Sequence, residues 1–297
     1  MTEAPKGERI AKVIARAGIA SRRDAERMIA EGRVSLDGQT LTTPAVTVTG
    51  SSRITVDGKA LPAAPRPRLW RYHKPRGVIT SARDPEGRPT LFEQLPAGLP
   101  RLQAVGRLDF NSEGLILLTN DGGLKRRLEL PANAWERRYR VRVHGRVDRA
   151  SLESLAKGLT IAGTTYGPVE ASLERQTASN AWLIMTLKEG KNREVRRLCE
   201  HLGLTVNRLI RVSYGPFELD QLPPGGLEAV PARLLKSELG LDADPGPPRR
   251  AQARKDKASQ STGGTGTARK PKAGPKRGGG PARPGRKAKH AHRRRSS

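Results

Sequence analysis

Arg107 and Asp109 stand two residues apart in Val105-Gly106-Arg107-Leu108-Asp109-Phe110-Asn111-Ser112-Glu113-Gly114, which runs directly into the apolar stretch Leu115-Ile116-Leu117-Leu118. A polar, glycine-flanked loop fused to a strand that must be buried is a way of holding reactive side chains on a rigid support. A nearby arginine would keep the carboxylate ionised. From the residues alone, a turn-capping aspartate beside a surface arginine is the simpler account. Glu189 and Glu194, at the start of an expected helix, suit N-terminal helix electrostatics better than an acid–base pair. Cys199 is the one cysteine, so it forms neither an internal disulfide nor a cysteine-cluster metal site and reads as a half-buried structural thiol. The histidines at 73, 144, 201, 290 and 292 lack metal-ligand spacing, and no metal is expected.

The elements around these residues follow from hydrophobic periodicity. Ile10, Val13, Ile14 and Ala17 recur at helical spacing up to Gly18, and Ser21 looks like the N-cap of a second helix that carries Ala25, Met28 and Ile29 and stops at Gly32. An extended stretch, Arg33 to Leu36, then meets the turn Asp37-Gly38, with further extended segments around Val46 and Ile54. The prolines of Leu61 to Pro67 make a semi-rigid linker. Beyond it, Leu69–Tyr72, Val78–Thr80, Leu115–Thr119, Tyr139–Val143, Val169–Leu173, Trp182–Leu187 and Thr205–Val212 read as strands. Ser151–Lys157, Asn192–Leu202 and Pro231–Leu239 read as helices. Strands outnumber helices and come in hairpin-like runs, so the expected class is α+β with a mostly antiparallel sheet rather than a doubly wound fold. The expected division is a small domain over 1–60, a linker over 61–67, a larger domain over 68–244 and a tail over 245–297.

Charge narrows the partner. The 297 residues carry a formal +27, and from Pro245 onward 17 Lys and Arg face the single Asp256, with alanine as the only residue of the hydrophobic set. Such a segment cannot bury enough apolar surface to offset its ordering entropy, so a disordered basic tail is expected. The remaining +11 on residues 1–244 calls for a polyanion. Apolar runs such as Gly114–Leu118 are too short to span a bilayer. Met1 to Arg9 is polar and acid-containing, without the apolar stretch of an export signal, and a cytoplasmic location is expected. Aromatics make up only 3% of the chain, against a recognition sheet built on base stacking. Trp70, Trp135 and Trp182 read as core or groove-edge packing.

Two resemblances sharpen this reading. The paired helices with Gly32-Arg33-Val34-Ser35-Leu36-Asp37-Gly38 resemble the S-four-like, or α-L, RNA-binding domain. That resemblance implies phosphate contacts from Arg22, Arg23 and Arg27. Gly106-Arg107-Leu108-Asp109 with Ser112-x-Gly114-Leu115 and Leu117-Leu118-Thr119-Asn120-Asp121-Gly122 resembles the catalytic motif of the RsuA/RluB branch of pseudouridine synthases. Lys74-Pro75-Arg76-Gly77, the strand around Tyr139, and Glu189-Gly190-Lys191-Asn192-Arg193-Glu194-Val195-Arg196-Arg197 match further family motifs in order.

The resemblance implies that Asp109 is the essential carboxylate, acting by attack on ribose or base or by drawing a sugar proton. It implies that Arg196 pairs with Asp109, and that Tyr139 packs on the target base and moves a proton. Arg107, Lys74, Lys191 and Arg193 then stand as RNA-contacting residues. The target nucleotide must leave the stack for a carbon–carbon glycosidic bond to form, and no cofactor is expected. The implied partner is ribosomal RNA or a pre-ribosomal particle, met by a monomer away from any membrane. Asn192 to Leu198 and Leu209 to Val212 resemble the RluB type more closely, which implies a large-subunit target. The rival reading is a non-catalytic RNA-binding ribosome-assembly protein.

Overall fold

The first helices owe their ends to single residues. In the computed structural model, which describes residues 7–241, β1 (Glu8–Arg9) leads into α1 (Ile10–Arg16), and Ser21 starts α2 (Arg22–Ala30). The Ser21 Oγ accepts the Asp24 N–H at 3.0 Å, satisfying a donor the first helical turn leaves open. Short strands follow: β2 (Val34–Leu36), β3 (Gln39–Thr40), β4 (Thr47–Val48), β5 (Ile54–Val56) and β6 (Lys59–Ala60). They form a four-stranded sheet in the order β3-β2-β5-β6, while β4 pairs with β1. Asp37-Gly38 and Asp57-Gly58 both turn with positive φ, the geometry that tight hairpins demand. Ile10, Ile14, Ala25, Ile29 and Val34 close a core that includes no residue beyond Leu61. The basic tail expected from residue 245 lies outside the described residues.

The second part contains β7 (Leu69–Lys74), β8 (Gln103–Val105), β9 (Glu113–Thr119), α3 (Gly122–Glu129), β10 (Arg137–His144), α4 (Arg149–Ser154), β11 (Leu159–Ile161), β12 (Thr164–Tyr166), β13 (Val169–Gln176), β14 (Asn180–Leu187), α5 (Glu194–His201), β15 (Thr205–Tyr214), β16 (Phe217–Glu218), β17 (Leu227–Ala229) and α6 (Ala232–Leu239). Nine strands make one sheet, ordered β13-β14-β10-β15-β9-β7-β17, with β8 also on β9 and β16 also on β15. All its pairings are antiparallel except β15 with β9. The fold is therefore α+β with a mainly antiparallel sheet.

Alternation along β9 builds two cores. Ile116 and Leu118 join Tyr139, Val141, Leu152 and Leu198 on the face covered by α4 and α5. Leu115 and Leu117 join Leu124, Leu128, Leu235 and Leu239 on the face covered by α3 and α6. Every residue of β9 is buried, so the loop preceding it hangs from the most enclosed strand of the sheet.

Three expectations need correction. Val78–Thr80 is not a strand: Ile79 makes one bridge to Thr90, and Thr80 spends its hydroxyl on Leu108, so the β-branched pattern serves packing rather than pairing. Helix α3 is not among the expected elements, since two glycines in its first turn are poor helix formers; Asp121 nevertheless caps it by accepting the Leu124 N–H at 2.6 Å, and Leu124 and Leu128 bury one face. Cys199 is fully buried rather than half-buried, and burial pushes its thiol up to about 12.

Candidate active site

The loop between β8 and β9 is fastened on all sides. Lys74, at the end of β7, is completely buried, and its ammonium donates to the carbonyls of Pro75, Asp109 and Ser112 at 3.0, 3.1 and 2.8 Å. The Gly77 N–H donates to the Phe110 carbonyl, and the Thr80 hydroxyl donates to the Leu108 carbonyl. Glu129 of α3 accepts the Gly106 N–H at 2.7 Å. Together these bonds fix the backbone on both sides of Asp109, so its side chain starts from a held position. The early Lys-Pro-Arg-Gly turn is thus the underside of the loop. RNA contact by Lys74, expected from the sequence, does not fit this placement: the ammonium is spent on three carbonyls beneath the loop, and Lys74 is not among the residues lining the cavity beside Asp109. Burial depresses the Lys74 pKa to about 8, against the raising effect of Asp109 and Glu113.

Asp109 projects toward α5, where two cations wait. Arg196 Nε lies 3.8 Å and an Arg193 nitrogen 3.9 Å from the Asp109 Oδ2. Both are ion pairs longer than hydrogen bonds, and the carboxylate stays 35% exposed, so it is partnered without being sealed. Arg196 is itself buried and donates to the Asn111 carbonyl at 3.1 Å, which ties the helix to the loop. Burial and the neighbouring Arg193 lower its pKa while Asp109 opposes them. Arg193 opens α5 in a left-handed conformation, φ 51°. Glu194 turns inward behind it and accepts the Lys191 N–H at 2.8 Å; burial and the adjacent Glu189 carboxyl raise its pKa to about 7. A capping part for Glu194, not an acid–base part, accords with that geometry.

Asp109, Tyr139, Arg107, Lys191 and Arg193 line one cavity of about 570 Å³. Tyr139 is buried on β10, whereas Arg107, Lys191 and Arg193 are exposed. Arg22, Arg23 and Arg27 do not enter this cavity. They are exposed on α2 and line a separate groove with Arg83, Arg101 and Arg126 of the second part. Arg211, outside the set expected from the sequence, is buried and lines the Asp109 cavity. A charged residue inside the apolar run Leu209-Ile210-Arg211-Val212 was the available signal.

Residues 68–201 match the family model for RNA pseudouridylate synthase, and residues 8–59 match the S4 domain. A Rickettsia felis protein described as an uncharacterized RNA pseudouridine synthase is 49% identical over 229 residues, 77% of this chain and 99% of that protein. Ribosomal large subunit pseudouridine synthase B of Pasteurella multocida is 43% identical, with 80% of this chain and 72% of that protein covered. A crystal structure described as pseudouridylate synthase superposes with a TM-score of 0.55 at 26% identity, covering 77% of this chain and 98% of that one. The fold and these likenesses define an isomerase that acts on RNA. The chain belongs to the RNA pseudouridine synthase family, with an S4 domain ahead of its catalytic part.

Proposed function

We propose that the chain converts one uridine of large-subunit ribosomal RNA to pseudouridine. The observation that carries this is the convergence of Asp109 and Tyr139 on one cavity, with Arg196 behind the carboxylate, from three well-separated stretches of sequence. The reaction breaks the bond from ribose C1′ to N1, joins C1′ to C5, removes the proton from C5 and returns one to N1. It is an isomerisation and needs no redox partner.

Asp109 acts on the detaching nucleotide, Arg196 pairs with it and keeps it aimed, and Tyr139 packs on the base and serves the proton transfer. Arg107, Lys191 and Arg193 hold the RNA at the rim, and Arg22, Arg23 and Arg27 extend the contact along α2. We assign 1–60 to the RNA-binding domain, 61–67 to the linker, 68–244 to catalysis and 245–297 to a basic tail. The protein works as a cytoplasmic monomer on ribosomal RNA or a pre-ribosomal particle. No helix among the described residues is long and apolar enough to cross a membrane. A protein limited to RNA binding would have no chemical use for the Asp109–Arg196 pair.

The test is release of tritium from ribosomal RNA labelled at uracil C5, followed by mapping of pseudouridine in a strain lacking the protein. One missing large-subunit pseudouridine is expected; no tritium release by purified protein would sink the reading.

Removing residues 245–297 should weaken RNA binding and flatten its salt dependence, since each phosphate contact contributes a logarithmic slope of about −0.7 on single strands. The modified position should not change. Redirection to another uridine in the mapping experiment would mean that the tail selects the site.

A further inference from the structure

Arg211 has no part in the scheme above, yet it is built into the same cavity. Only 3% of its surface is exposed, and its cross-strand neighbour on β10 is Tyr139. Its guanidinium is fixed in place: Nε donates to the Leu115 carbonyl at 2.7 Å, and the group lies 5.3 Å from the centre of the Tyr214 ring. Arg137 approaches the same ring at 4.9 Å. One terminal nitrogen, Nη2, is buried and meets no acceptor among the described residues. A buried N–H without an acceptor is a loss to the fold, and a site that binds a ligand can retain it because the ligand supplies the acceptor.

The ligand group that reaches Nη2 must enter deep beside Tyr139. Phosphates are the outermost groups of an RNA chain, and the exposed Arg107, Lys191 and Arg193 meet them at the rim. The base is the part an extruded nucleotide carries inward. On uracil, the acceptors that can receive a hydrogen bond from a guanidinium are the two carbonyl oxygens.

We propose that Arg211 is a substrate-contacting residue whose free Nη2 donates a hydrogen bond to a carbonyl oxygen of the extruded uracil. The proposal rests on the pseudouridine-forming reading above. Its effect belongs to the chemical step. When the C1′–N1 bond breaks with both electrons leaving on the base, the charge spreads onto the carbonyl oxygens and the fixed donor gains strength. The charge is discharged when C5 bonds C1′; C5 then gives up its proton and N1 takes one.

The test is single-turnover pseudouridine formation by the full chain at saturating enzyme, on RNA carrying uridine, 2-thiouridine or 4-thiouridine at the mapped position. Wild type is compared with Arg211→Lys, which keeps the charge, and Arg211→Met, which keeps the length, each checked for a cooperative thermal transition. Sulfur accepts hydrogen bonds more weakly than oxygen, and its intrinsic effect on the base is common to all three proteins. One thio substitution should slow wild type about tenfold more than it slows either variant, the worth of one hydrogen bond from a charged donor.

Equal thio effects in wild type and variants would overturn the proposal. So would the absence of any thio effect in wild type, an outcome that requires no variant to fold. A methylphosphonate placed 5′ to the target gives the remaining arm: if its effect, rather than the thio effect, vanishes in the variants, Arg211 meets phosphate and the base assignment is wrong. Wild type forming no pseudouridine on plain RNA would remove the underlying reading and the proposal with it. Pseudouridine formed with additive thio effects would remove the Arg211 assignment alone.

Discussion

Asp109→Asn should lower single-turnover pseudouridine formation by about a thousandfold or more, roughly 4 kcal/mol at the transition state, while RNA affinity holds or rises slightly. The substitution keeps the shape and reach of the side chain and removes its charge. Each route open to Asp109 needs that charge, whether the carboxylate attacks ribose, attacks the base or draws a proton. The surrounding loop should not move, because its bonds to Lys74, Thr80 and Gly77 run through the backbone. Arg196→Ala should also abolish turnover, since it removes both the cation 3.8 Å from the carboxylate and the tether to Asn111. The two losses should be far from additive, as both disable one unit. Arg193, at 3.9 Å, cannot substitute fully, because its exposed guanidinium is screened by solvent. An Asp109→Asn protein that keeps a tenth of the wild-type rate, after deamidation back to Asp has been excluded, would leave the carboxylate without a catalytic part.

The largest structural effect is expected at Gly114. Its φ of +107° is one that side chains rarely adopt, and an added Cβ would lie 2.3 Å from the Arg211 carbonyl oxygen and 2.6 Å from the Arg211 nitrogen. Both obstacles are backbone of the neighbouring strand, so relief requires prying β9 from β15 where they pair. Gly114→Ala should cost about 3 kcal/mol or more, a fall of roughly 10 °C in Tm for a chain of this size. Gly163→Ala is the proper control: its φ is +77° but nothing lies within 4 Å of an added Cβ. There the cost should be only the backbone strain, about 1 kcal/mol. Calorimetry of both variants checks the comparison; equal losses would mean that conformation alone, not the close strand contact, makes Gly114 necessary.

Local signals were legible in the sequence where one residue decides the outcome. Ser21 caps, Gly32 ends a helix, and period-two alternation marks β10 and β14. The class of fold followed from counting such segments. What could not be read were relations between distant segments. The fate of Lys74 depends on carbonyls supplied from Asp109 and Ser112, so the motif resemblance that implies an RNA contact there carries no sign of the loop that folds over it. Arg211 was hidden for the same reason: its neighbours Leu115 and Tyr139 belong to other strands. Helix α3 was lost to two glycines whose turn propensity is overridden by the Asp121 cap and by burial of Leu124 and Leu128.

The one parallel pairing of the large sheet also sets the order in which the chain can acquire activity. Antiparallel neighbours joined by a short turn zip up almost as they are made, but a parallel neighbour must be delivered by a long excursion of the chain. Here the excursion separates Leu115 and Arg211 by 96 positions in the sequence. The N-terminal core closes within its first sixty-odd positions, from Ile10 to Leu61, so its contacts are available early in synthesis. The Asp109 loop gains its cationic partners only once α5 has been made, and the cavity wall only with β15. Until then β9, apolar on both faces, lacks one of its strand partners, which is the kind of exposed edge that invites misassociation. The slow step of maturation should therefore be the docking of β15, with the α2 arginines in place before the Asp109 cavity is closed.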